Sequence, residues 1–351
     1  MAGNTLRRSQ VALALPGKGE LEGPTLDFLA DCGLRVVKTH PRQYTAHIPA
    51  FPQVVVLFQR AQDIVTKVAE GSADLGITGF DIVCEHGDVG SHLLVLQDDL
   101  NYGHCDLVVA VPEAWMDVDS MGDVADIALD FREKKGRDLR IATQFPHLVR
   151  QFFYEYGIVH FEMVAAHGAI EAAPSLGYAD IIADLTTTGT TLRENQLKPV
   201  EQGTILQSHA CLIGNKRALL ERDVVLDMAE TVLELVDATL EGQQYYSVTA
   251  NIQGASAEEV AQRVVKEEVI SGLKGPTIAP VYSHDRIGAR WTGWYAVTII
   301  VHRADLLHAV AHLRTIRGAH IIVTPVDYVF FDTSRSCYKL RSRLKREKAS
   351  A

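Results

Sequence analysis

The sequence lacks the features of several large protein classes. Its cysteines occur singly, with no C-x-x-C pair, which argues against a zinc ribbon, a dithiol redox motif or a disulfide framework. No stretch approaches the roughly 18 apolar residues that a membrane span needs. The N-terminal segment has only the short run VALAL and no small-residue cleavage site after it, so we expect a cytosolic protein. The cysteines are expected to be small buried hydrophobic residues: Cys32, Cys84, Cys105, Cys211 and Cys337.

Positive charge is also scarce. The chain has 34 Lys and Arg against 44 Asp and Glu, a formal net charge of −10, which disfavours nucleic acid or an anionic membrane as a partner. An anionic ligand would therefore have to be bound by local donors. With 351 residues, 47% of them hydrophobic and 22% charged, the composition is that of a globular protein of two or three domains.

Several catalytic motifs are missing. There is no G-x-G-x-x-G or Walker pattern, so neither a dinucleotide fold nor a P-loop is supported, and no G-x-S-x-G elbow supplies a nucleophile. His308 and His312 are four residues apart on a predicted helix and could face one metal. Because no H-E-x-x-H acid accompanies them, surface histidines are the favoured interpretation.

Two kinds of pattern follow one another along the chain. Up to about residue 240, short β-rich runs such as VALAL (11–15) and QVVVLF (53–58) alternate with helical stretches, which predicts α/β architecture. From about residue 245, two β-α-β halves predict a ferredoxin-like module of roughly 85 residues. The tail from residue 336 is basic and is predicted to be a frayed helix or disordered.

The stretch IIADLTTTGTTLRENQL (181–197) places five threonines around one glycine. A Thr-rich loop is usually a solvated turn. Here the glycine allows close backbone approach and the loop opens onto a predicted helix, so backbone N–H groups and hydroxyls could hold a phosphate. Asp184 closes the preceding strand and could accept hydrogen bonds from sugar hydroxyls. Together they suggest a ribose 5-phosphate site.

The longer stretch GAIEAAPSLGYADIIADLTTTGTTLRENQL (168–197) resembles the phosphoribosyl diphosphate loop of the ATP phosphoribosyltransferases, the first enzymes of histidine biosynthesis. ADLGITGFDIV (73–83), LRIATQFPHLVRQFF (139–153) and ALPGKGEL (14–21) are similar to further segments of that family. GPTIAPVY (275–282) resembles a turn of the C-terminal domain that only its long form carries. The resemblance runs in order from about residue 10 to about 330.

The resemblance implies a two-lobed core like that of type II periplasmic binding proteins, followed by an ACT-like regulatory domain. The expected boundaries are 1–112 with 204–240 for lobe I, 113–203 for lobe II, 245–335 for the regulatory domain and 336–351 for the tail. It also implies attack of the ATP adenine N1 on phosphoribosyl diphosphate, with Mg²⁺ screening the leaving pyrophosphate. Positioning and charge stabilisation would supply the catalysis.

The resemblance further assigns candidate residues. Glu171 and Asp184 would hold the ribose hydroxyls. The 5-phosphate would contact Thr187, Thr188, Gly189, Thr190 and Thr191. ATP or pyrophosphate would contact Lys18, Arg60 and Asp81, and inhibitory histidine would contact Asn251, Leu273 and Thr277. No direct metal ligand is assigned, and a homo-oligomer between dimer and hexamer is implied.

The sequence itself gives a further argument for Arg60 as a binding residue and an alternative role for Asp81. Arg60 follows a strand at the edge where ligands of α/β sheets collect, and Asp81 could instead be the N-cap of the next helix. Glu20 stands where some relatives have a basic or small residue, which leaves Lys18 as the candidate in that turn. The segment between NIQG and GPTIAP is longer than usual.

Two other functions compete with this interpretation. The lobed architecture also suits a solute-binding or amino-acid-sensing protein without catalysis, although the Thr-rich loop counts against it. A nucleobase phosphoribosyltransferase of the other major fold would carry paired acids before its loop, whereas only Asp184 precedes Leu185 here.

Overall fold

The structure is a computed structural model that describes residues 10–38, 40, 43–87, 89–166, 168–266, 273, 275–285 and 288–350. The chain forms two compact units, one of residues 1–233 with 339–351 and the other of residues 234–338. Among the described residues, none of the helices is long and apolar enough to cross a membrane.

The first unit contains two sheets. Its strands are β1 (Val11–Pro16), β2 (Thr45–Ile48), β3 (Phe51–Gln59), β4 (Leu75–Gly79), β5 (Leu93–Gln97), β6 (Cys105–Pro112), β7 (Leu139–Thr143), β8 (Phe161–Ala165), β9 (Ile181–Thr186), β10 (Leu197–Ser208) and β11 (Ala210–Asn215). Its helices are α1 (Glu22–Asp31), α2 (Ala61–Ala69), α3 (Phe80–His86), α4 (Met121–Lys135), α5 (Pro146–Glu155), α6 (Thr190–Glu194) and α7 (Lys216–Glu221).

Each sheet is the centre of one lobe. The lobe I sheet has the order β2-β3-β1-β4-β11-β5, in which β1 runs parallel to β3 and β4. The lobe II sheet has the order β10-β6-β9-β7-β8, in which β7 runs parallel to β8 and β9. This arrangement confirms the predicted α/β core.

The chain passes between the lobes at places that differ from the predicted crossings near residues 112 and 204. Both positions lie in lobe II strands, because β6 pairs with β9 and β10 pairs with β6. The crossings lie instead between β5 and β6 and at His209, between β10 and β11. The sequence pattern identifies a strand but does not say which sheet it joins.

Local sequence signals explain why individual elements begin and end where they do. In α4, Ser120 and Asp123 form a capping box at the start, and Gly136 with φ 64° ends the helix. In α2, Ile64, Val65 and Val68 have helical spacing and are buried against the lobe I sheet.

The second unit contains the predicted module. Its elements follow α8 (Asp223–Gly242) and are β12 (Tyr245–Gln253), α9 (Ala257–Val264), β13 (Thr277–Asp285), β14 (Gly288–His302), α10 (Leu306–Thr315) and β15 (Ala319–Pro325). The antiparallel sheet has the order β13-β14-β12-β15, which confirms the ferredoxin-like topology. Alternate β12 residues, Val248, Ala250 and Ile252, are buried in its core. Part of the long segment before GPTIAPVY lies outside the described residues.

The basic tail is more ordered than predicted. Residues Arg335–Ser350 form a regular helix, α11, in which Leu340 and Leu344 are 4% and 5% exposed. The guanidinium of Arg341 donates to Glu230 at 2.7 Å, and Lys216 pairs with Glu347 at 2.7 Å. The two leucines are four residues apart and therefore share one helix face, a pattern that the surrounding basic residues obscure in the sequence.

Two smaller expectations also need correction. His312 is buried, at 8% exposed, and its Nε2 lies 3.2 Å from the carbonyl oxygen of Arg263, so it is not a surface histidine. Of the cysteines, Cys32 and Cys211 are buried as predicted, whereas Cys84, Cys105 and Cys337 are only half-buried. All five are free thiols.

Candidate functional site

A cleft of about 550 Å³ lies between the two lobes of the first unit. The carboxyl ends of the parallel strands β1, β3 and β4 meet it from lobe I, and those of β7 and β9 meet it from lobe II. Lobe I contributes Lys18, Arg60, Gln62 and Asp81, and lobe II contributes Gln144, Phe145, Asp184 and Leu185. Ligands of α/β sheets bind at such edges, so this cleft is the candidate active site.

Two cations face the cleft without a counter-charge from the described part of the chain. Lys18 follows β1, Arg60 precedes α2 in extended conformation (φ −68°, ψ 143°), and both are exposed. Neither belongs to any ion pair that the described residues form. In a chain of net charge −10, they are local donors available to an anionic ligand.

Asp81 lies in the cleft wall but is held by the protein. It is 5% exposed, and Ser208 Oγ donates to its Oδ1 at 2.6 Å while accepting from the Asp81 backbone N–H at 3.0 Å. Burial raises the pKa of Asp81 above its usual value, and the Ser208 hydrogen bond opposes the rise. Asp81 is not the N-cap of α3, because Gly79 occupies that position without a side-chain cap.

Asp184 lies in β9 at the opposite wall of the cleft, two residues before the strand ends at Thr186, so it does not close the strand as the sequence suggested. Burial raises its pKa to about 6, opposed by the backbone N–H of Leu185 and assisted by the charge of Glu171. That N–H donates to Asp184 Oδ1 at 2.9 Å. Glu171 lies in a short 3-10 helix, Ile170–Ala172, which contacts β9, the strand that carries Asp184. Desolvated carboxylates of this kind concentrate at functional sites.

The residues 186–191, called here the Thr loop, begin with the last residue of β9, two residues after Asp184. Gly189 has φ 71°, a left-handed conformation that favours glycine. Its N–H donates to Thr186 Oγ1 at 2.9 Å, and Thr188 Oγ1 lies 2.9 Å from Thr190 Oγ1. Part of the hydrogen-bonding capacity is therefore used inside the loop, and the threonines do not line the 550 Å³ cleft itself. The helix onto which the loop opens, α6, has only five residues.

Sequence reasoning missed several residues of this site. Ser208 is 127 residues from Asp81 and gives no local signal. Gln62 and Gln144 bridge the lobes at the cleft, with Gln62 Nε2 3.3 Å from Gln144 Oε1. Gln144 and Phe145 belong to the LRIATQF segment that carried the resemblance, so their position was indicated although their role was not.

The described side chains limit the kind of metal site that this protein could form. Among the described residues there is no group of three or more His, Cys, Asp or Glu side chains that could hold a metal ion. A dedicated protein cage for Mg²⁺ is therefore not supported there. Mg²⁺ commonly binds through one or two carboxylates together with substrate phosphates and water, and Asp184 with Glu171 fits that more limited role.

The residues predicted to bind histidine lie in the second unit. Asn251, in β12, is half-buried, and Thr277, at the start of β13, is exposed. Asn251 pairs with Ala296 and Thr277 with Thr298 on the intervening strand β14, which places both on the sheet face opposite the buried Val248 and Ala250. Leu273 is 41% exposed in a turn before β13.

Comparison with known proteins gives consistent results along the chain. The family model described as ATP phosphoribosyltransferase matches residues 60–238, and the model of the HisG C-terminal domain matches residues 242–328. The chain is 41% identical over 339 residues to "ATP phosphoribosyltransferase 2, chloroplastic" of Arabidopsis thaliana, covering 96% of this chain and 81% of that protein. It is 42% identical over 230 residues to the ATP phosphoribosyltransferase of Mesorhizobium japonicum, covering 63% of this chain and 99% of that one.

Among solved structures, the chain is similar to one from the "ATP phosphoribosyl transferase (HisG:HisZ) complex from Thermotoga maritima". That match has 24% identity and a TM-score of 0.49, and it covers 65% of this chain and 99% of the other. The two family models together extend from residue 60 to residue 328, across both the cleft-bearing unit and the ferredoxin-like module. The chain belongs to the ATP phosphoribosyltransferase family, in its long form with a C-terminal domain.

Proposed function

We propose that the interlobe cleft transfers the phosphoribosyl group of phosphoribosyl diphosphate to N1 of ATP and releases pyrophosphate. The observation that carries the proposal is the charge arrangement of the cleft. Exposed Lys18 and Arg60 face it from lobe I, and the desolvated carboxylate of Asp184 faces it from lobe II. This suits a substrate that has both phosphates and sugar hydroxyls.

Each group has a role that follows from its charge and position. Lys18 and Arg60 stabilise the developing charge of the pyrophosphate or the triphosphate of ATP. Asp184 and Glu171 accept hydrogen bonds from the ribose hydroxyls, and residues 187–191 of the Thr loop contact the 5-phosphate. Because Ser208 holds Asp81 in the cleft wall, Asp81 acts through the shape and charge of the wall. Mg²⁺, bound mainly by substrate phosphates, would screen the leaving pyrophosphate.

Product analysis tests this function. Incubation with ATP, phosphoribosyl diphosphate and Mg²⁺ should release pyrophosphate and give phosphoribosyl-ATP, and omission of either substrate or chelation of Mg²⁺ should stop both. Arg60→Ala should lower kcat/KM by about 10-fold or more, since charge-assisted contacts contribute about 1.5–3 kcal/mol. Lys134→Ala, which removes an exposed cation of α4, is the matched control. A chain that binds either substrate but forms no product would instead be a binding protein.

Feedback inhibition by histidine is the second part of the proposal. It rests on the resemblance and on the shared sheet face of Asn251 and Thr277. Deletion of everything after residue 240 would also remove α11, whose Leu340 and Leu344 are buried, so point variants are the cleaner test. Asn251→Ala and Thr277→Val should weaken histidine inhibition and leave uninhibited activity unchanged. Thr315→Val, at the exposed end of α10 and away from that sheet face, should change neither.

Assembly and location complete the proposal. A homo-oligomer between dimer and hexamer follows from the family resemblance, and light scattering at monomer mass under all conditions would contradict it. The cytosolic location expected from the sequence remains a prediction, since the Arabidopsis relatives carry the description chloroplastic. Imaging of the tagged full-length protein in its native cell would decide between these locations.

A further inference from the structure

Helix α5 begins at the cleft and has no N-terminal cap from its own lobe. Its N-cap residue, Phe145, makes no side-chain hydrogen bond, and Pro146 at the first position has no N–H to donate. The first-turn N–H groups of a helix have no partner within the helix. The next two, of His147 and Leu148, therefore need acceptors from elsewhere.

Those acceptors come from the other lobe. Glu85, in α3 of lobe I, accepts from the backbone N–H of His147 at 2.9 Å through Oε1 and from that of Leu148 at 3.0 Å through Oε2. Glu85 is 5% exposed and forms no ion pair with any of the described residues. The N-terminus of α5, where the helix dipole favours negative charge, is thus the partner of a buried carboxylate.

The same short helix contacts lobe II at a second point. Asp81 and Glu85 are one turn apart and so share a face of α3. Asp81 bonds to Ser208, the last residue of β10, beside the crossing at His209. Helix α3 therefore contacts lobe II both at the chain crossing and at the start of α5.

The contact between Glu85 and the start of α5 adjoins residues that line the cleft. Gln144 and Phe145, which line the cleft, are the two residues immediately before Pro146. The N–H of Phe145 donates to Thr143 Oγ1 at 3.0 Å, so the turn is tied to the end of β7 on its other side. Displacement of the start of α5 would therefore move Gln144, which also bridges to Gln62 of lobe I.

From these contacts we infer that Glu85 is a positioning residue for the transfer reaction. By capping α5 from the opposite lobe, it sets the separation of the two cleft walls and fixes Gln144 and Phe145 between them. It also fills a helix N-terminus that would otherwise attract phosphate groups, which leaves the Thr loop as the phosphate site of lobe II. The inference rests on the proposed function for its kinetic consequences, but not for its structural ones.

The kinetic test compares Glu85→Ala, Glu85→Gln and Glu155→Gln. Glu155 lies at the other end of α5 and is exposed, where it accepts from Gln151, so its replacement removes a charge from the same helix without affecting the lobe contact. Removal of the cap should lower kcat about 10- to 100-fold in Glu85→Ala, because reacting atoms on opposite walls lose their alignment. The Kd for phosphoribosyl diphosphate in calorimetry should change by less than about threefold, since the Thr loop and Asp184 lie within lobe II.

Glu85→Gln should be intermediate, because it keeps the side-chain volume and one of the two acceptors. Glu155→Gln should match the wild type in both kcat and Kd. Equal loss in kcat and in binding, or wild-type kcat in a folded Glu85→Ala, would overturn the inference.

A structural readout separates this inference from the proposed function. Hydrogen exchange of the His147 and Leu148 amides should be slow in the wild type, although first-turn amides ordinarily exchange fast. It should be accelerated at least about 10-fold in Glu85→Ala, with the amides of β7 unchanged, which also shows that the variant is folded. If wild-type enzyme makes no phosphoribosyl-ATP but this protection pattern holds, the proposed function fails and the capping contact stands. Fast exchange in the wild type would refute the contact itself.

Discussion

The Thr loop and helix α3 belong to opposite lobes, and different kinds of interaction hold them in place. The Thr loop is held by bonds between close neighbours, such as the N–H of Gly189 to Thr186 and the hydroxyl of Thr188 to Thr190. Helix α3 is held by bonds to residues 62 to 127 positions away, through Glu85 and Asp81. A local sequence pattern therefore specifies the first region, whereas only the folded chain specifies the second.

The largest effect is expected at the residue on which the loop conformation depends. Gly189→Val should weaken phosphoribosyl diphosphate binding about 100-fold or more, because a β-branched residue is strained at φ 71° and its methyl groups would cover the backbone that faces the phosphate. A Cβ at this position meets no protein atom within 4 Å, so folding should survive.

Gly189→Ala is the matched control for this strain. Alanine must adopt the same left-handed conformation as Gly189 but has no branched methyl groups. Gly189→Ala should therefore weaken binding less than Gly189→Val, by about 10-fold. If calorimetry finds wild-type affinity in Gly189→Val, the Thr loop is an ordinary solvated turn.

Asp184 should give the next largest effect, and it has a pH signature. Asp184→Ala leaves sugar hydroxyls unpaired in a desolvated site, at a cost of about 1–3 kcal/mol or roughly 10- to 150-fold in kcat/KM. Because the ionised form accepts the hydrogen bonds and its pKa is raised to about 6, wild-type kcat/KM should fall as the pH decreases through about 6. The KM for ATP should change little.

Asp184→Asn separates the charge from the shape of the side chain. It should remove the fall in kcat/KM near pH 6, and Asp130→Asn, on the exposed face of α4, should keep it. An unchanged acidic limb in Asp184→Asn would assign that titration to another group.

Ser208→Ala tests the long-range contact that holds helix α3. This change removes the hydroxyl that donates to the buried Asp81, and an unsatisfied buried carboxylate should lower the free energy of unfolding by about 1–3 kcal/mol. Asp81 has a raised pKa when folded, so its ionisation destabilises the fold as the pH rises from about 4. Loss of the hydrogen bond raises that pKa further, and the destabilisation should therefore be larger at pH 8 than at pH 4.

Ser175→Ala is the control for this stability measurement. The Ser175 hydroxyl is exposed and donates to the carbonyl of Ala172, so its loss should change the free energy of unfolding by less than about 0.5 kcal/mol at either pH. Denaturant titrations of both variants at pH 4 and pH 8 measure these free energies of unfolding. Equal destabilisation at pH 4 and pH 8 would show that Asp81 does not titrate between these two pH values.

The same contrast between local and long-range interactions explains which features could be predicted from the sequence. The α/β order, the ferredoxin-like module and the positions of Lys18 and Arg60 just after strands follow from periodicity and motifs, whereas β9 continues two residues beyond Asp184. The lobe crossings did not follow, because β6 is joined to lobe II only by its pairing with β9 and β10. The sequence allowed a frayed helix for the tail but not the regular, packed helix α11, because its two buried leucines, Leu340 and Leu344, stand in a basic segment. Glu85 gave no signal because its partners are backbone N–H groups of another lobe.

The smallest effects are expected from the single hydroxyls of the Thr loop. A neutral hydrogen bond contributes about 0.5–1.5 kcal/mol, so Thr188→Val and Thr191→Val should each weaken phosphoribosyl diphosphate binding only about 2- to 10-fold. The two should nevertheless differ in a second measurement. Thr188 Oγ1 lies 2.9 Å from Thr190 Oγ1 and accepts from the Thr190 N–H at 3.4 Å, so its loss should also loosen the loop.

Hydrogen exchange across residues 186–191 should therefore rise in Thr188→Val and stay at the wild-type rate in Thr191→Val, for which the structure shows no hydroxyl bond within the loop. Similar affinity losses with different exchange would mean that Thr188 acts partly by shaping the loop and Thr191 only by contact with the phosphate. Unchanged exchange in Thr188→Val would show that the backbone conformation around Gly189, rather than the hydroxyl bonds between neighbours, holds the loop in place.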